Sequence, residues 1–147
     1  MRQFRKLGND GVAAIEFAVV GTLLLLLLVG VIDLGIGCYE QMQVQNAAEV
    51  GAQYVAVNGY NLAGINQAVA SSSSNASITA SPAPTQFCGC PGAGGIAAID
   101  CTSTCTDGTK PSKYVQVNTT LTHWSGVPQG IFPSLFTLTG TATVRIP

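Results

Sequence analysis

The chain has 147 residues, of which 9% are charged and 47% are hydrophobic, and its formal net charge is −1. This length allows one membrane segment and one small domain. No basic patch follows the first six residues, so the composition argues against a nucleic-acid partner.

A short basic leader precedes a long apolar run. Residues 1–11 include Arg2, Arg5 and Lys6, and the run that follows, Val12–Ile32, contains Glu16 as its only charged residue. As a helix this run would be about 31 Å long, close to the ~30 Å hydrocarbon core of a bilayer. The sequence therefore predicts a transmembrane helix over residues 12–32.

The flanking charges predict the orientation of this helix. Positive residues precede the run, whereas Asp33 and Glu40 follow it, so residues 1–11 are expected in the cytoplasm and residues 33–147 outside. A removed secretory signal peptide is the alternative, but the apolar stretch is long and no convincing A-x-A cleavage site follows it.

The helix is expected to continue beyond the membrane. Residues 39–57 contain no proline, and Val44, Ala48, Gly51 and Val55 form one stripe at helical spacing. We expect this stripe to pack under the exported domain, with packing between subunits as a second use.

The rest of the exported segment predicts a small mixed domain. Asn61 can cap a short second helix that runs to about Ala70. Asn75–Ala80 alternates as a strand does, whereas residues 85–112 are rich in Gly, Cys, Thr and Pro and indicate an irregular, cross-linked loop.

Two stronger strand patterns follow. Tyr114–Thr122 and Phe136–Ile146 alternate apolar and polar residues and are rich in β-branched side chains, with Gly140 as a candidate bulge. Trp124 and Phe132 lie in the connection between them and are expected in the domain core or close to the membrane. The predicted fold is α+β: a long helix, a short helix and a roughly three-stranded antiparallel sheet with a disulfide-linked loop.

The junction of leader and apolar run carries the sequence GVAAIEF at Gly11–Phe17. This segment resembles the leader of type IV pilin-like proteins, in which a prepilin peptidase cuts after a glycine and a glutamate stands fifth in the mature chain. The resemblance places the cut between Gly11 and Val12, which makes Glu16 the fifth residue and Phe17 the sixth. Gly8 is a competing glycine, but a cut after it would make Glu16 the eighth residue of the mature chain instead of the fifth.

The chain is similar to TadE-like pseudopilins of the tight-adherence (Tad) system over nearly its whole length. The matching segments are RKLGNDGVAAIEFAVV, the leucine-rich span that ends in VIDLG, the Cys-x-Cys and Cys-x-x-x-Cys loop, and the strand-rich end. The resemblance implies a minor pilin-like component of Tad/Flp pilus biogenesis, in a bacterial inner membrane and with a periplasmic domain. It implies prepilin peptidase, other pilin-like subunits and Tad platform proteins as partners, with consequences for adherence and biofilm formation.

The proposed cut has a chemical consequence within the same helical turn. It would create an α-amino group on Val12, which can pair with the Glu16 carboxylate of its own chain or of a neighbour. Such a pair is less costly at low dielectric than either charge alone, so Glu16 would set the register between subunits. The alternative is a tolerated interfacial glutamate, which the dipole at a helix start also favours.

Five cysteines follow the leader: Cys38, Cys88, Cys90, Cys101 and Cys105. In an oxidising compartment the last four are expected to form two disulfides that join Cys88 and Cys90 to Cys101 and Cys105. Neither spacing is that of a usual zinc knuckle, so no metal is expected. Cys38 is expected to be a buried free thiol, with an intermolecular disulfide as the alternative.

Nothing in the sequence points to catalysis or to a cofactor. His123 is the only histidine, and a Ser–His–acid triad would have to use Asp100 or Asp107, without a G-x-S-x-G motif. Two other hypotheses compete with the pseudopilin: an uncleaved membrane-anchored binding or adhesion protein, and a membrane-anchored periplasmic enzyme.

Overall fold

The computed structural model describes residues 10–124 and 135–146. The described chain has two helices, α1 and α2, followed by four strands, β1 to β4, which form one antiparallel sheet in the order β2-β1-β3-β4. Their bounds are Asp10–Asn58 for α1, Leu62–Ser71 for α2, Thr85–Gly92 for β1, Gly95–Ile99 for β2, Ser112–Trp124 for β3 and Leu135–Ile146 for β4. The α+β prediction is confirmed, with four strands in the described chain where three were expected.

α1 is one continuous helix of 49 residues, and its two halves have different surroundings. It is long and apolar enough to cross a membrane, and the most apolar part of it buries none of its residues against the protein. Leucines 23 to 28 are between 50% and 63% exposed. A surface this apolar is stable in a bilayer rather than in water, so the N-terminal half of α1 indicates membrane anchoring.

The second half of α1 provides one wall of the core. Val44, Ala48, Gly51 and Val55 are all buried, which confirms that the predicted stripe packs under the domain. A Cβ atom at Gly51 would lie 2.9 Å from side-chain atoms of both Val69 and Val117, so glycine is needed for this close packing. The core cluster contains Val44, Ala47, Ala52, Val55, Ile65, Val69, Ile78, Val115, Val117 and Leu121.

α2 begins at the predicted cap. The Asn61 side chain accepts hydrogen bonds from the backbone N–H groups of Ala63 and Gly64, at 3.1 and 3.3 Å. These bonds satisfy two of the N–H groups that have no partner inside a helix. Ile65 and Val69 are buried on the side of α2 that faces α1 and the sheet.

The predicted strand at residues 75–80 is reduced to a single β-bridge between Thr79 and Thr120. Asn75 begins a turn instead, because its side chain accepts from Ser77 N and its carbonyl accepts from Ile78 N. The alternating pattern therefore buries Ile78 in the core without forming a ladder.

The expectation of an irregular loop over residues 85–112 is wrong for its first half. β1 and β2 form a hairpin in which Cys88 pairs with Ile99 and Gly92 with Gly95. Gly95 has φ +109°, which only glycine adopts without strain. The glycines that suggested an irregular loop thus supply the tight turn of this hairpin.

β3 and β4 confirm the two stronger strand predictions, and their ladder is continuous from Lys113–Ile146 to Trp124–Leu135. The bulge expected at Gly140 is absent from this ladder, since Gly140 pairs in register with Thr119. Gly140 instead allows α1 to approach: a Cβ atom there would lie 2.6 Å from Val44 O and 2.9 Å from Gln45 Cα.

The side chains of α1 occupy the outer edge of β4. The Gln45 amide donates to Thr141 O at 3.1 Å and accepts from Thr141 N at 3.3 Å, as a neighbouring strand would. Gln41 donates to Thr139 O at 2.8 Å. Glutamine side chains thus satisfy backbone groups that an edge strand otherwise leaves unpaired.

We expect Gly140→Ala to destabilise the domain by roughly 1–3 kcal/mol, because the added methyl group overlaps the α1 backbone. The measurement is urea unfolding of the full-length protein in detergent, followed by tryptophan fluorescence. Gly92→Ala is the matched control: its Cβ atom would be 3.7 Å from Gly95 O, an ordinary contact. Equal midpoints for the two variants would contradict the close packing of α1 on β4.

Candidate functional site

The candidate cleavage and assembly residues lie at the start of α1. The Gly11–Val12 peptide bond is in the first helical turn, where N–H groups have no intrahelical acceptor and unwinding costs least. Val12 and Glu16 are four residues apart, so they share one face of the helix. Phe17 is 80% exposed, which leaves its ring available to the membrane or to another helix.

The four cysteines of the strand-rich region form two disulfides, Cys88–Cys101 and Cys90–Cys105. The bridges interleave along the chain and attach the segment after β2 to β1. A disulfide that closes a loop of about 15 residues stabilises by roughly 3 kcal/mol on the loop-entropy estimate. The hairpin has few buried side chains of its own, so its shape depends on these bridges.

Cys38 is a free thiol and is exposed, so the expectation that it is buried is wrong. The neighbouring residues Glu40 and Gln41 contact β3 and β4, whereas the buried stripe of α1 begins at Val44. The exposed thiol is accessible to another chain, so an intermolecular disulfide at Cys38 stays a prediction.

His123 occupies a cluster that the sequence did not reveal. It is 4% exposed, its Nδ1 lies 2.5 Å from Glu40 Oε2, and its Nε2 lies 3.8 Å from Asp33 Oδ1. The Phe136 ring packs on the imidazole, with ring centroids 4.7 Å apart. β3 therefore attaches to α1 at the point where the apolar run ends.

The spacing of the two carboxylates explains the cluster. Asp33 and Glu40 are seven residues apart, which is close to two helical turns, so both project toward the same ring. This spacing was the available signal, but the distance along the chain to His123 gave no indication that the groups meet. The sequence marked Asp33 only as a charge that follows the apolar run, and the structure adds its contact with His123.

The acids considered for a triad have other positions. Asp107 accepts hydrogen bonds from the Thr109 hydroxyl at 2.7 Å and the Thr109 N–H at 2.9 Å, and these bonds lower the pKa of its carboxyl. Asp100 follows β2, in the disulfide-linked segment. The nitrogens of His123 face Glu40 and Asp33 instead, in a geometry that joins a helix to a sheet.

These features define a class: a protein with one apolar N-terminal helix that continues as the central helix of an α+β domain. Residues 11–53 match the family described as TadE-like protein, which confirms the resemblance over this segment. The matched range begins at Gly11 and includes Glu16, the apolar run and most of the buried stripe. It supports a component associated with the Tad pilus.

No curated protein and no solved structure matches the chain. The match to TadE-like proteins ends at Gln53, so α2 and the sheet lie outside it.

We expect Glu40 and His123 to be energetically coupled. In a double-mutant cycle of Glu40→Gln and His123→Gln, the interaction energy should be about 1–3 kcal/mol, because one substitution removes the carboxylate and the other the imidazole of the same part-buried hydrogen bond. Urea unfolding of the full-length protein in detergent measures it. Glu49→Gln is the control partner: Glu49 is also on α1 but is exposed, so its coupling to His123 should be close to zero. Equal coupling in both cycles would refute the assignment.

Proposed function

We propose that this chain is a minor pilin-like component, a pseudopilin, of Tad/Flp type IVb pilus assembly. It supports pilus biogenesis and surface adherence as a structural subunit. The observation that carries the proposal is the TadE-like match, which begins at the candidate cleavage glycine and continues through the apolar run into the buried stripe.

The proposed topology is a cytoplasmic leader, an inner-membrane helix over residues 12–32 and a periplasmic domain over residues 33–147. The basic leader supports this orientation through the positive-inside rule. The disulfides of the strand-rich region also support it, because disulfides persist in the oxidising periplasm and are rare in the cytosol.

Processing by prepilin peptidase would remove residues 1–11. The new α-amino group of Val12 would lie one turn from Glu16, inside or at the edge of the hydrocarbon layer. A lone charge is costly at that position, so the amine and the carboxylate favour each other or the opposite group on a neighbouring helix. Glu16 would thereby fix the axial position of α1 among other pilin-like helices, with Phe17 beside it as an exposed apolar contact.

The proposed partners follow from this arrangement. Prepilin peptidase acts on the leader, other pilin-like subunits contact α1, and Tad inner-membrane platform proteins contact the membrane end of the chain. The role assigned to the periplasmic domain is recognition and support, since its conspicuous chemistry is structural: two disulfides and a buried helix-to-sheet contact.

The cleavage is tested in cells that express the matching Tad peptidase. The protein should lose the mass of residues 1–11, and Gly11→Ala should abolish the loss because a methyl group at that position blocks the peptidase. Intact-mass spectrometry and N-terminal sequencing of the purified protein provide the readout.

Gly8→Ala is the matched control for that experiment and should leave processing unchanged. An intact N-terminus in the unsubstituted protein would overturn the processing claim and favour an uncleaved membrane-anchored binding protein. Loss of processing in Gly8→Ala alone would move the cut to the other glycine.

Glu16→Gln should leave cleavage intact but reduce association with other pilin-like subunits. The new amine of Val12 would then have no carboxylate partner, and breaking a buried pair costs about 3 kcal/mol or more. Co-isolation of the processed protein with the pilus fraction measures the effect. Glu49→Gln, at an exposed position on the same helix, should associate normally, and equal recovery of both variants would refute a register role for Glu16.

A further inference from the structure

An apolar groove lies between α1 and β4 at the membrane end of the domain. Its volume is about 830 Å³, and its lining is almost wholly apolar. The residues that shape it are Leu26, Leu27, Gly30, Leu34, Phe136 and Leu138.

The groove crosses the level at which the predicted span ends. Its lining extends from Leu23, within the apolar run, to Gln41, a distance along the helix of about 27 Å. Its lower wall is therefore part of the membrane-facing surface of α1, and its upper wall is the end of β4. Asp33 is the one charged residue among those that line the groove, and its Oδ1 lies 3.8 Å from His123 Nε2.

The upper end of the groove is narrow. A Cβ atom built on Gly37 would lie 3.6 Å from the tip of the Phe136 ring, so a single carbon atom would fill the space between the helix and the ring there. A helix with its side chains is about 10 Å across and does not fit into such a taper. A single hydrocarbon chain does.

We propose that this groove holds an acyl chain of a phospholipid from the outer leaflet of the membrane that α1 crosses. The inference rests on the membrane placement in the proposed function. The groove is continuous with the hydrocarbon-facing surface of α1, so an acyl chain enters it without leaving an apolar environment. Burial of Phe136, which is 39% exposed, and of Leu34, which is 69% exposed, favours this occupancy.

The bound acyl chain makes the membrane end of the sheet a lipid-contacting surface. Phe136 then lies at the level where aromatic side chains concentrate in membrane proteins. The domain then contacts the bilayer through β4 as well as through the apolar part of α1. These two contacts together fix the height and tilt of the domain relative to the bilayer.

The test uses the full-length protein in phosphatidylcholine vesicles with brominated acyl chains, which quench tryptophan at short range. Trp124 is the only tryptophan, so Trp124→Phe provides a background without one. In that background, Phe136→Trp reports on the groove and Tyr60→Trp is the matched control, since both native side chains are 39% exposed. Tyr60 follows α1 at the end far from the apolar run, so only the tryptophan at position 136 should be quenched.

Leu25→Trp separates this inference from the membrane placement. Leu25 is 63% exposed within the apolar run and does not line the groove, so a tryptophan there reports on insertion alone. Quenching at position 25 but not at position 136 overturns the groove assignment and leaves the anchor intact. No quenching at position 25 overturns the membrane placement itself.

A second pair of variants tests the groove rather than general lipid contact. Gly30 and Gly21 both have open space where a Cβ atom would stand, but only Gly30 lines the groove. Gly30→Leu should fill the groove and lower the quenching of the tryptophan at position 136, whereas Gly21→Leu should leave it unchanged. Equal quenching in both overturns the assignment, and circular dichroism verifies folding. If Phe136→Trp misfolds, Leu138→Trp, which also lines the groove, takes its place.

Discussion

The whole structure depends on α1 being one continuous helix, whose first half is the candidate membrane anchor and whose second half forms one wall of the core. Its first half is apolar on every side, as suits a helix surrounded by a bilayer, whereas its second half is apolar on the one face that packs against the domain. The transition occurs between Asp33 and Glu40, where the first acidic side chains after the run meet His123 of β3. The sheet thus begins to pack on the helix where the apolar run stops.

The close approach of β4 to α1 follows from the same constraint. Because α1 is one continuous helix of 49 residues, close packing is achieved by bringing the backbone of β4 up to the α1 backbone. Gly140 removes the side chain that would hold β4 away from α1. Gly51 has the same effect where α1 meets α2 and β3, because a Cβ atom there would lie 2.9 Å from Val69 and Val117. Both glycines serve packing between elements rather than local backbone freedom.

The sequence predicted the features that depend on local periodicity. The buried stripe of α1, the Asn61 cap and the two long strands are all visible in short windows, because each repeats at the spacing of its own element. The hairpin of β1 and β2 was missed because Gly89, Pro91 and the glycines of its turn lower strand propensity, while disulfides and pairing with β3 compensate for it. Gly140 was misjudged because its partner lies about 95 residues earlier in the chain. At the candidate site, the leader motif is local and could be identified, whereas the contact of His123 with Glu40 is a product of tertiary packing alone.

The α1 glutamines that cover the edge of β4 have a consequence for self-association of the domain. Anchored copies share a membrane surface, so an open sheet edge would meet the edges of its neighbours at high local concentration, and unpaired strands recruit one another. Gln41 and Gln45 occupy that edge with side-chain amides from a helix that precedes β4 in the chain. The cover comes from the same chain, so the Thr139 carbonyl and both backbone groups of Thr141 are not available to a strand of a neighbouring copy.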